Sequence, residues 1–171
     1  MAELWDLVDK HKNKTGLVWK RGDSRAIPKG MYHICTVIWT VRPDGKILLT
    51  KRHPSKPYGL LWENSGGSLL SGENGREGAK RELYEETGIS AEVNDFIYLG
   101  DSISSDYIAE TYLYHIPACD VELKLQASEV VDAKWVTPAE LEDMRSQIVP
   151  TIYKKYLRYK KKIIGSHATA R

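Results

Sequence analysis

Three glutamates stand within five residues near the middle of this chain, in the stretch GSLLSGENGREGAKRELYEETGI. If this stretch is helical, successive side chains turn by about 100°, so Glu82, Glu85 and Glu86 share one face. Ala79 and Leu83 fall on the edge beside them. The spacing therefore predicts a helix that packs one edge inward and turns the adjacent acidic edge toward a cleft.

This acidic edge needs positive charge near it, because carboxylates three and four positions apart on a helix repel each other. Oxygen ligands of this kind suit hard divalent cations, and Mg2+ commonly uses one or two carboxylates together with water and substrate phosphates. The alternative is an ordinary solvated acidic face, with Arg76, Lys80 and Arg81 offsetting the repulsion. Spacing alone leaves both interpretations open.

The whole stretch resembles the signature of the Nudix superfamily. That signature runs glycine, five residues, glutamate, seven residues, arginine-glutamate, an aliphatic residue, any residue, two glutamates, any residue, glycine and an aliphatic residue. Every defined position is filled here, by Gly67, Glu73, Arg81, Glu82, Leu83, Glu85, Glu86, Gly88 and Ile89. A motif with so many specified positions is far more specific than a lone glycine motif.

The resemblance implies an α/β (α+β) Nudix fold, in which a mixed β-sheet is sandwiched between helices. It also implies a site for Mg2+ or Mn2+ with Glu82, Glu85 and Glu86 as ligands, and an arginine, Arg81, that orients the acidic Glu73. Family enzymes mostly hydrolyse a nucleoside diphosphate linked to another group, by attack of water at phosphorus. We therefore expect the substrate to be a diphosphate-containing small molecule, such as a nucleotide derivative.

Other residues are candidates for contact with this substrate. Gly66 and Gly67 would let the backbone approach the metal or the phosphates closely, unless they form a plain turn. Lys51 and Arg52 end a strand that points toward the motif. There they either contact phosphate or form an ordinary exposed strand end.

The general base and the base-stacking residues are harder to place. Glu129, in QASEVVDAKWV, is our candidate for the base and Glu110 is the alternative, although either could be a surface residue. Water activated directly by the metal would need neither. Tyr58 or Trp62 could stack on a nucleobase, but Trp62 follows an apolar run, which favours a place in the core.

A second, weaker resemblance is to the subgroup of type I isopentenyl-diphosphate isomerase and its hydrolase-like relatives. It lies in ELWDLVDKHKNKTG, in the segment from His33 through DGKILLTKR, and in LLWENS. The isomerase has a cysteine just after its WxNS-type segment and then a metal-binding histidine, and this chain has neither. Hydrolysis is therefore favoured over proton transfer, and a structural role is favoured for His33. The third hypothesis is a module that senses a nucleotide without cleaving it.

Composition limits the class of protein. The 171 residues and 19.4 kDa fit one domain, residues 1–171, and the net charge of +2 gives no reason to expect nucleic acid as a partner. No apolar window approaches a membrane span, and the first residues do not resemble a signal peptide. Cys35 and Cys119 read as reduced thiols, so we expect a cytoplasmic enzyme. Many relatives form dimers, which implies a possible homodimer.

The remaining elements follow from turn and cap signals. A front hairpin is expected over about residues 3–20, and Asp44-Gly45 is a strong hairpin turn between two β-branched runs. Thr137 and Pro138 open a helix as its cap and first residue. A basic helix is expected over about residues 147–164, with Ile148, Ile152, Tyr156 and Leu157 against the core.

Overall fold

A computed structural model describes residues 3–165 of the chain. The predicted domain runs over residues 1–171, so its two ends, 1–2 and 166–171, lie outside the described residues. The helices are α1 (Gly75–Thr87), α2 (Pro138–Asp143) and α3 (Pro150–Gly165). The strands are β1 (Leu4–Val8), β2 (Lys14–Lys20), β3 (His33–Val41), β4 (Ile47–Arg52), β5 (Trp62–Glu63), β6 (Ile97–Ile103), β7 (Tyr107–His115) and β8 (Val130–Val136).

The main sheet is mixed, as predicted. Its order is β5-β4-β3-β7-β6, with β8 paired to β4. Strands β3 and β7 run parallel over their whole length, from His33 opposite Tyr107 to Val41 opposite His115, and the other strand pairs are antiparallel. The predicted front hairpin forms a separate two-stranded sheet, β1-β2.

Helices cover both faces of this sheet. Alternate residues of a strand point to opposite faces. Trp39 of β3 accordingly packs with Tyr156 of α3, whereas its neighbour Ile38 packs in the cluster that contains Ala79 and Leu83 of α1. The two apolar clusters fix α1 and α3 against the sheet, and the predicted sandwich of helices around a mixed sheet is confirmed.

One gap in the sheet positions the candidate site. Strands β3 and β4 pair only at Val41 and Ile47, beside the predicted Asp44-Gly45 turn, and then diverge. The chain that follows β5 fills the space between them, because Ser65 bridges to Ile38 and Ser68 bridges to Cys35. Residues 64–69 therefore cross from the edge of β4 to β3, and the paired glycines lie in the middle of this crossing.

Helix α1 begins where local capping chemistry is strongest. Asn74 is the N-cap, and its side chain accepts hydrogen bonds from the N–H groups of Arg76 and Glu77. The Glu77 carboxylate accepts in turn from the Asn74 N–H at 2.8 Å, which completes a capping box. The helix ends at Gly88, whose left-handed conformation (φ 75°) is available to glycine without strain.

The C-terminal helix differs from its prediction at two points. It begins at Pro150 instead of near residue 147, because Arg145–Gln147 form a separate 3-10 turn. Ile152 and Tyr156 are buried as expected, but Leu157 is 54% exposed. The buried face continues through Tyr159 and Ile163, since these residues keep the helical period. Within residues 3–165 no helix is both long and apolar enough to span a membrane.

Candidate active site

The acidic face of α1 borders a cavity of about 280 Å3. The front hairpin, the glycine crossing and α1 form its walls, and the turn before β8 closes one side. Five carboxylates and four cationic side chains line it together with Trp5, Gly66, Gly67, Ser68 and Gln126. The charged lining residues are Glu3, Glu82, Glu85, Glu86, Glu129, Arg21, Arg52, Lys56 and Arg81.

Glu86 is the most deeply buried of these carboxylates, with 3% of its surface exposed. It accepts one hydrogen bond, at 3.3 Å, from the backbone N–H of Gly66. Burial raises the pKa of Glu86 well above its ordinary value, and the nearby carboxylates of Glu63 and Glu82 raise it further. A buried carboxylate whose charge is offset by only one long hydrogen bond favours a cation or a proton beside it.

Arg81 donates hydrogen bonds to three acidic side chains near Glu86. Its Nε and Nη2 donate to the two carboxylate oxygens of Glu73 at 2.7 and 2.9 Å. Its Nη1 donates to Glu82 at 2.8 Å and to Glu85 at 3.0 Å. Burial opposes ionisation of Glu73, but the hydrogen bonds from Arg81 prevail and lower its pKa. One guanidinium therefore spans the carboxylates on both sides of the helix start.

The two glycines of the crossing are needed for close approach. A Cβ atom added to Gly67 would overlap the carboxylate of Glu82, so the side chain of Glu82 lies directly on this backbone. A Cβ atom at Gly66 would overlap the backbone carbonyl oxygen of Thr36. Gly67 thus makes room for an acidic side chain, whereas Gly66 makes room for a neighbouring strand.

The donor chemistry at this site fits a divalent cation, although the carboxylates are held apart. Among residues 3–165, no three His, Cys, Asp or Glu side chains are arranged to coordinate one ion. The cause is visible in the contacts, since Glu82 and Glu85 are bonded to Arg81 while Glu86 turns to Gly66. The Glu82 carboxylate is close enough to Glu86 to raise the pKa of Glu86, so a small side-chain movement would bring oxygen ligands together.

Each cation that lines the cavity is paired with a carboxylate. Arg52 donates to Glu63 at 2.5 Å and also to the carbonyl oxygen of Pro57 at 2.7 Å. Lys56 pairs with Glu129. Arg21 pairs with Glu3 at 2.7 Å. An incoming polyanion would therefore compete with these carboxylates for the cations.

Among the predicted phosphate contacts, Arg52 lines the cavity but Lys51 does not. The Lys51 ammonium lies over the Trp62 ring, 5.5 Å from its centroid, because neighbouring residues of a strand point to opposite faces. Trp62 itself is buried in the apolar core. Glu129 lies in the cavity, whereas the alternative base, Glu110, does not line it and is bonded to Lys12 at 2.9 Å.

His33 packs between aromatic rings. Its ring stacks on Trp5 with a centroid distance of 4.3 Å, and it also contacts Tyr107. Burial lowers its pKa below the ordinary value. Its backbone N–H donates to the carbonyl oxygen of Asp106 at 3.1 Å. The ring therefore acts as part of the wall behind the front hairpin.

Several residues that line the cavity could not be predicted from the sequence. Lys56, Arg21 and Glu3 reach the cavity from loops and from the front hairpin, far from the motif in the chain. Their side chains have no fixed spacing from the glutamates, so no sequence pattern identifies them. The only signal was the basic residue in HPSKPYG, which lies in a loop directly after the strand that carries Arg52.

Known proteins with a similar sequence identify the family of this chain. A family model described as the NUDIX domain matches residues 31–158. An uncharacterized Nudix hydrolase from Listeria monocytogenes is 32% identical over 150 residues, which cover 84% of this chain and 85% of that protein. CTP pyrophosphohydrolase from Escherichia coli is 35% identical over 100 residues, which cover 58% of this chain and 73% of that enzyme.

A solved structure shares the fold. The bifunctional NMN adenylyltransferase/ADP ribose pyrophosphatase from Francisella tularensis, complexed with AMP and an Mn ion, superposes with a TM-score of 0.64. The match has 19% identity and covers 81% of this chain and 43% of that one. Fold and motif together define a Nudix-fold protein. The chain belongs to the NUDIX family and is a Nudix hydrolase, an enzyme that hydrolyses diphosphate bonds.

Proposed function

We propose that this enzyme cleaves a diphosphate linkage in a nucleoside diphosphate derivative or related small molecule, and that Glu82, Glu85 and Glu86 hold the Mg2+ or Mn2+ it needs. The observation that carries the proposal is Glu86, a buried carboxylate beside Glu82 that has one weak hydrogen bond. Two features of relatives support it, the activity in the name of CTP pyrophosphohydrolase and the Mn ion in the Francisella tularensis structure.

The residues around the cavity have different proposed roles: some position other side chains, some bind the metal and some contact the substrate. Arg81 and Glu73 are positioning residues, because their two-point contact fixes the start of α1 against the segment that contains Ser68. A divalent cation bound by the glutamates would offset the charge of the diphosphate and polarise its phosphoryl oxygens. Arg52 and Lys56, which line the same cavity, would supply positive charge to the phosphates.

Glu129 is the proposed general base. Its carboxylate lines the cavity and its position is fixed by a tight turn, in which its N–H donates to the carbonyl oxygen of Gln126 at 2.9 Å. Lys56 forms an ion pair with this carboxylate. When phosphate draws Lys56 away, the Glu129 carboxylate is free to accept a proton from the attacking water.

The isomerase-like and sensor hypotheses remain as alternatives. The isomerase would need a thiol just after the WxNS-type segment, but Gly66 stands there and even a Cβ atom at this position would overlap the backbone of β3. A sensor would bind nucleotide without releasing product. We also propose a cytoplasmic location and, from the resemblance alone, a homodimer, which sedimentation velocity would test.

A substrate panel tests the proposed function. Nucleoside diphosphates and triphosphates, nucleotide sugars, dinucleotides and isopentenyl diphosphate would each be incubated with Mg2+, with Mn2+ and with EDTA. We expect metal-dependent release of phosphate, pyrophosphate or mononucleotide from a nucleoside substrate, and we expect Glu86→Gln to abolish it. A rearranged prenyl group would support the isomerase instead, and tight binding without product would support the sensor.

A further inference from the structure

A small basic pocket lies between α3 and the turn that joins β6 to β7. Its volume is about 240 Å3, below the roughly 300–1,000 Å3 usual for drug-sized ligands, which suits a small anion. None of its lining residues lines the cavity that borders the acidic face of α1, the carboxylate cavity. The charged side chains in its lining are all cations, namely Lys154, Lys155 and Arg158. The pocket is therefore separate from the proposed catalytic site, and its charge is of one sign.

The three cations have no carboxylate partner. Among residues 3–165 none of them forms an ion pair, whereas each cation of the carboxylate cavity does. Asp101 is near enough to Arg158 to feel its charge, but the Asp101 carboxylate pairs with Lys12 at 3.0 Å. Arg158 stands four positions after one lysine and three after the other, a spacing at which like charges on a helix repel each other. An anion between these side chains would remove the repulsion.

Lys155 has the strongest need for a counter-charge. Its side chain is partly buried, and it lies close enough to Arg158 for the two positive charges to interact. Burial lowers the pKa of the Lys155 ammonium, and the charge of Arg158 also lowers it. A lysine that loses water without gaining a carboxylate is stabilised in its charged form by an anion from solution.

Arg158 is oriented by a backbone group instead of a carboxylate. Its Nη1 donates to the carbonyl oxygen of Asp101 at 3.1 Å, and its guanidinium lies over the Tyr159 ring, 5.2 Å from the centroid. The other N–H groups of the guanidinium remain available to an acceptor. Three residues whose hydroxyl groups can donate to oxygen also line the pocket: Ser104, Tyr107 and Thr151.

We propose that this pocket binds the phosphate group of a small ligand, with Lys155 and Arg158 as the main contacts, and that binding needs no metal ion. A phosphate group carries up to two negative charges and several acceptor oxygens, so it offsets more of the positive charge than a carboxylate does. Inorganic phosphate and phosphate monoesters share this chemistry. The inference does not depend on the proposed hydrolytic function, because it uses none of the glutamates of α1.

Calorimetry in EDTA at pH 7 tests the assignment without metal or cleavage. Inorganic phosphate and glycerol phosphate would each be titrated into the full-length protein. We expect about one anion to bind per chain, and the anion that binds more tightly distinguishes the free ion from a monoester. Lys155→Gln and Arg158→Gln should each weaken binding by roughly 10-fold to 100-fold. The matched control is Lys161→Gln, which removes the same charge from an exposed position of α3 outside the pocket and should keep wild-type affinity.

Thermal unfolding shows whether the variants fold. Without phosphate, Lys155→Gln should unfold at the wild-type temperature or above it, because it removes a partly buried charge that Arg158 repels. Added phosphate should raise the unfolding temperature of the wild type and of Lys161→Gln more than that of Lys155→Gln.

Four results would overturn the assignment. The first is that neither anion binds the wild type in EDTA. The second is that Lys161→Gln weakens binding as much as Lys155→Gln does, since the attraction would then be diffuse. The third is that Glu86→Gln abolishes binding, which would place the phosphate in the carboxylate cavity. The fourth is that a short single-stranded DNA binds and phosphate does not, because the cations would then contact nucleic acid.

Discussion

Arg81 grips Glu73 at two points, with Nε and Nη2 donating to separate carboxylate oxygens at 2.7 and 2.9 Å, and its remaining nitrogen bridges Glu82 and Glu85. Only a planar guanidinium can make these contacts together, because an ammonium lacks the fixed fork of donors. The segment before α1 and the acidic face of the helix are therefore tied to one side chain.

Arg81→Lys should show how much the geometry of the guanidinium group contributes beyond its positive charge. The substitution keeps the positive charge but loses the two-point contact with Glu73, so we expect unfolding to require about 1–3 kcal/mol less free energy. Hydrolysis should fall with it, since the glutamates lose their common anchor. Urea denaturation and initial rates on the same preparations measure both effects. Arg25→Lys, an exposed pair with Asp23, is the control, and an equal effect there would exclude a special role for Arg81.

The two glycines should respond differently to alanine. Gly67→Ala pushes the flexible carboxylate of Glu82 aside, so we expect a stability change below about 1 kcal/mol together with a large loss of metal-dependent activity. Gly66→Ala meets the rigid carbonyl group of Thr36, and we expect a loss of roughly 1–3 kcal/mol in stability. Thermal unfolding and assays at several metal concentrations distinguish them. Identical behaviour of the two variants would contradict their separate roles.

Glu129→Gln tests the general base. The amide keeps the size of the side chain but cannot accept a proton in the reaction, so kcat should fall by roughly 10²-fold to 10⁴-fold with little change in KM. Glu122→Gln, at an exposed site that does not line the cavity, should retain wild-type kcat. If kcat of Glu129→Gln stays within threefold of the wild type, water is activated without this residue.

The pH dependence of the free energy of unfolding should show how much the buried, ionised Glu86 side chain destabilises the protein. Its pKa in the folded protein is raised well above the ordinary value of 4.5, so the folded state holds this proton more tightly than the unfolded state. Without metal, stability should therefore fall as pH rises from about 4.5 through the raised pKa. Glu86→Gln removes this loss, so in EDTA at pH 7 the variant should be more stable than the wild type, whereas the two should converge near pH 4.

Urea denaturation in EDTA over this pH range makes the comparison. Added Mg2+ should stabilise the wild type and leave Glu86→Gln unchanged, because only the carboxylate binds the ion well. If the variant is less stable than the wild type at every pH, the Glu86 side chain stabilises the folded protein instead of destabilising it.

Local features of the chain could be predicted well. The Asp44-Gly45 turn, the apolar edge of α1 and the cap of α2 at Thr137 depend on neighbours in sequence, and each is found where expected. The parallel pairing of β3 and β7 could not be predicted, since it joins residues about seventy positions apart and no turn signal encodes it.

In the candidate site, too, local features could be predicted and long-range contacts could not. Helical spacing placed Glu82, Glu85 and Glu86 on one face, but it gave no sign that Glu86 is buried while Glu85 stays about half exposed. That difference arises because the glycine crossing covers one edge of α1 only. The pairing of Lys56 with Glu129 was equally invisible, because it depends on how two distant loops meet.

Direct binding of Mn2+ tests the central claim, that the acidic face of α1 holds the metal. Electron paramagnetic resonance of free Mn2+ would be followed while wild-type protein, Glu86→Gln and the control Glu122→Gln are titrated. We expect one or more ions to bind the wild type and the control equally, with affinity at least roughly tenfold lower in Glu86→Gln, the smallest loss typical for residues that support a metal site. Wild-type affinity for Mn2+ in Glu86→Gln would contradict the assignment of this residue as a ligand.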